Sequence, residues 1–266
     1  MSVRLYADLT RSTQQRQMQA QEIDSLHSRI IDDLSMVVAA AKSLENLVIL
    51  CDLDIHTLTC SIITLNMENS PNVCALGFHV LCCLCRYGIS SMTQSVENTK
   101  LIANTSVCKL CIEVMSKHPN SRCLFLNGLN FFTCLLISTE ILQILSECGI
   151  ENLIAKCLHL YVLECDIVEV CANMIAKAVA FDADINVQFG RRDCCELLVL
   201  ALRKNDDHER MCTSICDAML SLHISDENRA KFRAAEAGKY LSIMSAKRDE
   251  RSFELLEKCK KLLATL

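Results

Sequence analysis

From Glu22 onward, apolar positions return every three or four residues, the period of a helix with one buried face. Ile23, Leu26, Ile30, Leu34 and Val37 form the first stripe and predict an amphipathic helix ending near Lys42. Leu44–Cys51 and Ile55–Met67 follow as a helix pair meeting near Asp52–Asp54. Asn69-Ser70-Pro71 breaks the pattern, and Asn72–Tyr87 is then almost wholly apolar, as expected of a helix packed on several sides. Gly88–Ser95 reads as a loop. Val96–Ala103 and Val107–Lys117 make the next pair, which His118-Pro119-Asn120 ends.

The same order then recurs. Ser121–Ile137 is a buried helix; Thr139–Glu147 turns at Cys148-Gly149 into Ile150–Leu163. Asp166–Phe181 is buried again, followed by Ile185–Phe189 and Cys194–Arg203. His208–His223 leads into Ile224–Ala246, the clearest copy: Asn228 at the start, Phe232 to the core, and Gly238 expected to allow the sharp turn. Arg251–Leu266 is the last helix, with Phe253, Leu255, Leu256, Leu262 and Leu263 on its apolar side. The pair junctions fall at Asp54, Val107, Gly149, Cys194 and Ala237, with separations of 53, 42, 45 and 43 residues. A period of about 40–47 residues is the signature of stacked two- or three-helix units.

Within that pattern, SLHISDENRAKFRAAEAGKYL, inside Asp207–Leu241, resembles an armadillo repeat. NVQFGRRDCCELLVLAL (186–202) and LQILSECGIENLIAKCL (142–158) are similar to it, with Cys-Cys and Cys-Gly in place of Ala-Gly. The resemblance covers roughly residues 44–266, and HEAT-type repeats are the close structural alternative. It implies an all-α fold, a right-handed α-solenoid of about five armadillo-like repeats over residues 21–266; the polar, Gln-rich residues 1–20 read as an arm before it.

The long third helices superpose His79, Asn130, Asn173 and Asp217 in one register. Gly77, Gly128 and Cys171 sit two positions earlier, small residues that let neighbouring helices approach. One turn later come Cys83, Cys134, Lys177 and Ser221. In armadillo proteins these two tracks line the concave groove, so His79, Cys83, Asn130, Asn173, Lys177, Asp217 and Ser221 are the candidate partner-binding residues. Peptide-binding members place Trp and Asn there. This chain has no Trp, and the role of nuclear-import receptors does not carry over. Two readings of the polar track stand open: an internal ladder bonded to neighbouring backbone, or an open groove that takes an extended peptide.

Composition narrows the alternatives. Six Gly and two Pro are too few for the turns of a many-stranded fold, which supports the all-α reading. The nineteen cysteines lie in apolar helical runs rather than in a short, loop-rich framework. Such thiols behave as small buried hydrophobes, and an intracellular, cytoplasmic location is expected. MSVRLYADLTRSTQQRQMQ lacks the apolar stretch of a secretory leader. The longest apolar runs, Val73–Cys85 and Cys123–Ile137, are too short to span a bilayer.

The net charge is −5, but from Arg229 to Lys261 ten Lys/Arg stand against five acids, a local +5 that leaves −10 elsewhere. Arg229, Lys231, Arg233, Lys247, Arg248, Arg251, Lys260 and Lys261 are read as a basic C-terminal rim, either a solvated cap or a docking patch for an acidic partner. No aromatic residues interleave these bases, and no nucleic-acid partner is expected.

Cys82-x-x-Cys85 and Cys108-x-x-Cys111 have zinc-ribbon spacing, but each lies within a helix and lacks a Gly or Pro knuckle, so neither metal nor cofactor is expected. No phosphate-binding glycine loop or nucleophile elbow is present. The acidic pairs Asp32-Asp33, Asp206-Asp207 and Asp249-Glu250 fall where helix starts and solvent favour them. The expected function is non-enzymatic: an intracellular scaffold or adaptor binding an extended protein segment. Two other readings are a structural component of a cytoskeletal or ciliary assembly, and a regulator of a small GTPase or chaperone.

Overall fold

A computed structural model describes residues 21–22, 24–86, 99–246 and 252–266. The expected arm at 1–20, the loop at 88–95, and Lys247, Arg248 and Arg251 of the rim lie outside them. Every described element is helical: α1 (24–40), α2 (Leu44–Asp52), α3 (Ile55–Asn66), α4 (Pro71–Arg86), a single turn α5 (99–102) and α6 (Thr105–Lys117). Then come α7 (Arg122–Leu135), α8 (Thr139–Glu147), α9 (Ile150–Leu160), α10 (Cys165–Phe181), α11 (Ile185–Arg191), α12 (Cys194–Lys204), α13 (Glu209–Leu222), α14 (Asp226–Ala234), α15 (Ala237–Ala246) and α16 (Phe253–Thr265).

Local chemistry fixes the ends of these helices. Pro71 opens α4, where a missing N–H costs nothing. Asn104 and Ser138 accept hydrogen bonds from the amides of Val107 (3.0 Å) and Ile141 (3.4 Å), capping α6 and α8. The corners before α3, α9, α12 and α15 each place one residue in the left-handed region: Asp54 (φ 52°), Gly149 (φ 84°), Asp193 (φ 60°) and Glu236 (φ 59°). Glu236 therefore makes the last corner. Gly238, expected to make it, lies inside α15, and a Cβ there would meet nothing within 4 Å.

From α8 onward the order short, intermediate, long occurs three times. The long helices pack in chain order, α4 on α7, α7 on α10, α10 on α13 and α13 on α16, while α9, α12 and α15 form a second contacting row. Phe78, Phe125, Phe131, Phe132, Phe189 and Phe232 are fully buried in the core these helices share, each contributing about 1.5–3 kcal/mol of burial. Close approach sets where α4 and α7 meet the helices that precede them. A Cβ on Gly77 would lie 2.6 Å from Ile63 of α3, and one on Gly128 would lie 2.6 Å from Met115 of α6.

Polar links cross from unit to unit at a near-constant sequence separation. The Tyr161 hydroxyl donates to the Pro119 carbonyl (2.7 Å, 42 residues apart), and Asn205 donates to Val162 (2.7 Å, 43 apart). Asn228 donates to Asn186 (3.0 Å, 42 apart), and Lys231 donates to Gly190 (2.6 Å, 41 apart). Asn127 reaches the Ala75 carbonyl (3.0 Å) over 52 residues, because the first interval carries an insertion between α4 and α6.

The last helix departs from its sequence pattern. Leu255, Cys259 and Leu262 are buried, but Phe253 is 77 % exposed and Leu263 is 36 % exposed. Nothing in the described residues packs on the far side of α16, so its outer apolar positions stay in solvent.

Candidate interaction surface

The long helices bury two sides and leave one stripe open. His79 on α4, Asn130 on α7 and Asp217 on α13 are half-buried, and Asn173 on α10 is exposed. All four residues of the first predicted track therefore reach solvent, on four helices that pack in succession.

Their bonding differs. Asn130 and Asn173 make no hydrogen bond among the described residues, so both amides keep their full donor and acceptor capacity. Asp217 accepts from the Lys258 ammonium (2.7 Å), which also bonds Glu254 (2.6 Å). Desolvation lowers the pKa of Lys258, and the hydrogen bonds it donates to Asp217 and Glu254 more than offset this, so the net shift is upward.

The second track is more deeply set. Cys83 is half-buried, and the Ser221 hydroxyl bonds back to the Asp217 carbonyl (3.0 Å) one turn earlier. Lys177 donates to the Thr133 carbonyl of the preceding long helix (2.9 Å), and burial lowers its pKa while the nearby Cys134 acts to raise it. Cys134 itself is only 8 % exposed, 3.6 Å from the sulfur of Cys82. Lys177 is thus an internal tie, whereas Asn130 and Asn173 reach solvent.

Sequence reasoning missed the groups around Asp217. A depression of about 630 Å³ between α10, α13 and α16 is lined by Glu169, Glu209, Arg210, Thr213, Asp217 and Glu254. Arg210 pairs with Glu169 (3.1 Å) and Glu209 accepts from the Ser252 amide (3.0 Å). The same register, read one turn before Asn173 and Asp217, points to Glu169 and Thr213.

The basic rim is extensively paired. Arg229 bonds Asp226 and the His223 carbonyl, Arg233 bonds the Leu266 carbonyl, and Lys260 bonds Glu257 (2.6 Å). Lys231, besides holding Gly190, lies 3.9 Å from Glu196. These ties consume much of the donor capacity that a docking patch would present.

No protein-family model matches this chain, and no curated protein matches it in sequence. Among the described residues no helix is long and apolar enough to cross a membrane, and no group of three or more His, Cys, Asp or Glu side chains could hold a metal ion. The two Cys-x-x-Cys pairs lie on α4 and α6, and all four of their thiols are buried. Burial raises the pKa of Cys85 and Cys111 well above 9.0 and pushes Cys108 up to about 12. Thiols held neutral in this way are poor ligands, because a metal binds the thiolate.

Proposed function

We propose that the chain is an armadillo-like α-solenoid of about five repeats that serves as a non-catalytic, cytoplasmic scaffold or adaptor. It holds an extended segment of a partner protein along the open face of α4, α7, α10 and α13. The observation that carries this reading is the pair Asn130 and Asn173. They occupy one register position on consecutive long helices, reach solvent, and have no internal hydrogen bond. An extended peptide presents backbone N–H and C=O groups at regular spacing, and an amide side chain can both donate to and accept from such a backbone. His79 and Asp217 continue the line at either end, while Lys177 braces it by tying α10 to α7.

Each amide–backbone bond contributes about 0.5–1.5 kcal/mol net, so affinity on this surface builds from several contacts along the segment. Stacked helical units provide the extended surface that such binding requires.

The test is the Asn130→Ala/Asn173→Ala double variant of the full chain. A partner is first identified by proximity labelling in cells, and its affinity is then measured against purified wild type and variant. The expected outcome is a ten-fold or greater loss of affinity with the melting temperature unchanged, because neither amide supports the fold. Undiminished affinity together with a lowered melting temperature would falsify the groove reading.

A further inference from the structure

Cysteines on neighbouring helices make thiol–thiol contacts, and three such pairs stand out. Cys157 and Cys171 join α9 to α10, Cys216 and Cys259 join α13 to α16, and Cys82 and Cys134 join α4 to α7. The three are not chemically equivalent. Cys157, Cys171, Cys216 and Cys259 are each 0 % exposed, sealed from any oxidant in solution. Cys82 is 4 % and Cys134 is 8 % exposed, at the margin of the open face.

A cation also stands beside the third pair. Lys177 is fixed by its bond to the carbonyl of Thr133, the residue preceding Cys134, at 2.9 Å, and its ammonium lies close enough to Cys134 for their charges to interact. A neighbouring ammonium stabilises thiolate over thiol, and thiolate is the reactive form.

We propose that Cys82 and Cys134 form a redox-active dithiol that closes to a disulfide between the first two long helices when a hydroperoxide reaches the open face. Cys134 is the attacking residue. Its thiolate displaces alkoxide or hydroxide from the peroxide oxygen, giving a sulfenic acid at Cys134 and, after proton uptake, an alcohol or water. The sulfur of Cys82, 3.6 Å away, then attacks the Cys134 sulfur. Its proton leaves with the sulfenic oxygen as water. Both sulfurs lose one electron and the peroxide gains two.

Closure requires the sulfurs to approach to about 2.05 Å, a movement of roughly 1.5 Å that side-chain rotation and a small helix shift can supply. The product fastens α4 to α7 beneath His79, Cys83 and Asn130. The dithiol stands on its own geometry and does not depend on what binds above it.

The test treats the reduced full-length protein with hydrogen peroxide, blocks remaining thiols with N-ethylmaleimide, and maps disulfides by non-reducing chymotryptic peptide mass spectrometry. Cleavage after Leu81, Leu84, Phe132 and Leu135 leaves Cys134 in Thr133-Cys134-Leu135 and Cys82 in Cys82-Cys83-Leu84, where fragmentation shows which of the two neighbours carries N-ethylmaleimide and which is linked. The expected product is a Cys82–Cys134 link at least ten times more abundant than any other intramolecular disulfide. It should form at least five-fold more slowly in Lys177→Met and be retained in Cys85→Ser. Preferential oxidation of another pair in wild type overturns the proposal, and that reading requires no variant to fold. Oxidation of Lys177→Met at the wild-type rate overturns the role given to the cation.

Discussion

The amide of Asn228 rests on the backbone of Gly190. Its nitrogen donates to the Asn186 carbonyl (3.0 Å) and the Leu222 carbonyl (3.1 Å), and the side chain is 0 % exposed. A Cβ at position 190 would lie 1.8 Å from Asn228 Oδ1 and 2.8 Å from its Cγ. The amide cannot move aside without breaking both bonds in a buried place. Gly190→Ala is therefore expected to cost about 2–4 kcal/mol, overpacking and lost hydrogen bonds together. Urea denaturation measures the loss. A double-mutant cycle with Asn228→Ala checks the cause: removing the amide makes room for the methyl group, so the double variant should lose less than the two single variants combined.

Glu236 sits at the last corner with φ 59°, a conformation that costs a non-glycine L-residue about 1–2 kcal/mol. Its side chain offers little in return. Its ion pair with Lys239 is 3.8 Å long with both partners more than 60 % exposed, and such pairs are worth little. Glu236→Gly is expected to leave stability unchanged or raise it by up to about 1 kcal/mol, after the entropic cost of glycine in the unfolded chain. Gly238→Ala, inside α15, should be stabilising on helix propensity alone, by about 0.5–1 kcal/mol. A thermal scan in which Glu236→Gly melts several degrees lower would refute the strain assigned to this corner.

These two corners also show what was legible in the sequence. Period and polarity located the helices and their junctions to within a few residues, because a buried stripe at helical spacing leaves little freedom. The small residues Gly77 and Gly128 were readable as points of close approach for the same reason. The identity of the residue taking the left-handed turn was not readable. Gly238 has the right chemistry for it, but the turn falls where the helix hydrogen bonds run out, and that is Glu236. Nor was the split within the polar tracks legible. Lys177 and Asn173 lie one turn apart, yet one bonds across to Thr133 and the other faces solvent. That difference depends on helix-to-helix distance, which a one-dimensional pattern does not carry. Phe253 misled because an apolar residue at a helical position predicts a buried face only when a neighbour exists to cover it.

Asn205 tests the links between units. Its amide donates both to Val162 (2.7 Å) and to Ala201 (3.1 Å), closing the end of α12 against the loop of the preceding unit. Asn205→Ala removes both side-chain bonds; the Ala201 carbonyl keeps the Asn205 backbone amide (3.1 Å), whereas the Val162 carbonyl must find another partner in a half-buried site. A loss of about 1–2 kcal/mol is expected. Hydrogen exchange should show protection falling on both sides of the junction, at the end of α9 and at the end of α12. Loss confined to α12 would mean that the contact to Val162 contributes nothing.

The buried thiols predict how stability responds to alkaline pH. Burial raises the pKa of Cys111 and Cys85 well above the ordinary 9.0, and the same cause lifts Cys60 and Cys74 to about 11 and Cys195 to about 12. Below pH 9 both folded and unfolded chains keep these protons, and the thiols give no pH dependence. Above it the unfolded chain releases protons that the folded chain retains. The unfolded state then binds fewer protons, so stability falls as pH rises, by up to about 1.4 kcal/mol per pH unit for each fully buried thiol. For Cys60 and Cys74 that loss ends near pH 11; for Cys111 it continues beyond. Urea midpoints measured from pH 7.5 to 10.5 should be flat to about pH 8.5 and then drop steeply. Cys111→Ala should show a shallower drop despite its lower starting stability, because one proton linkage has been removed while a small cavity is left. An alkaline slope identical in wild type and Cys111→Ala would place the titrating groups elsewhere, on lysines and tyrosines.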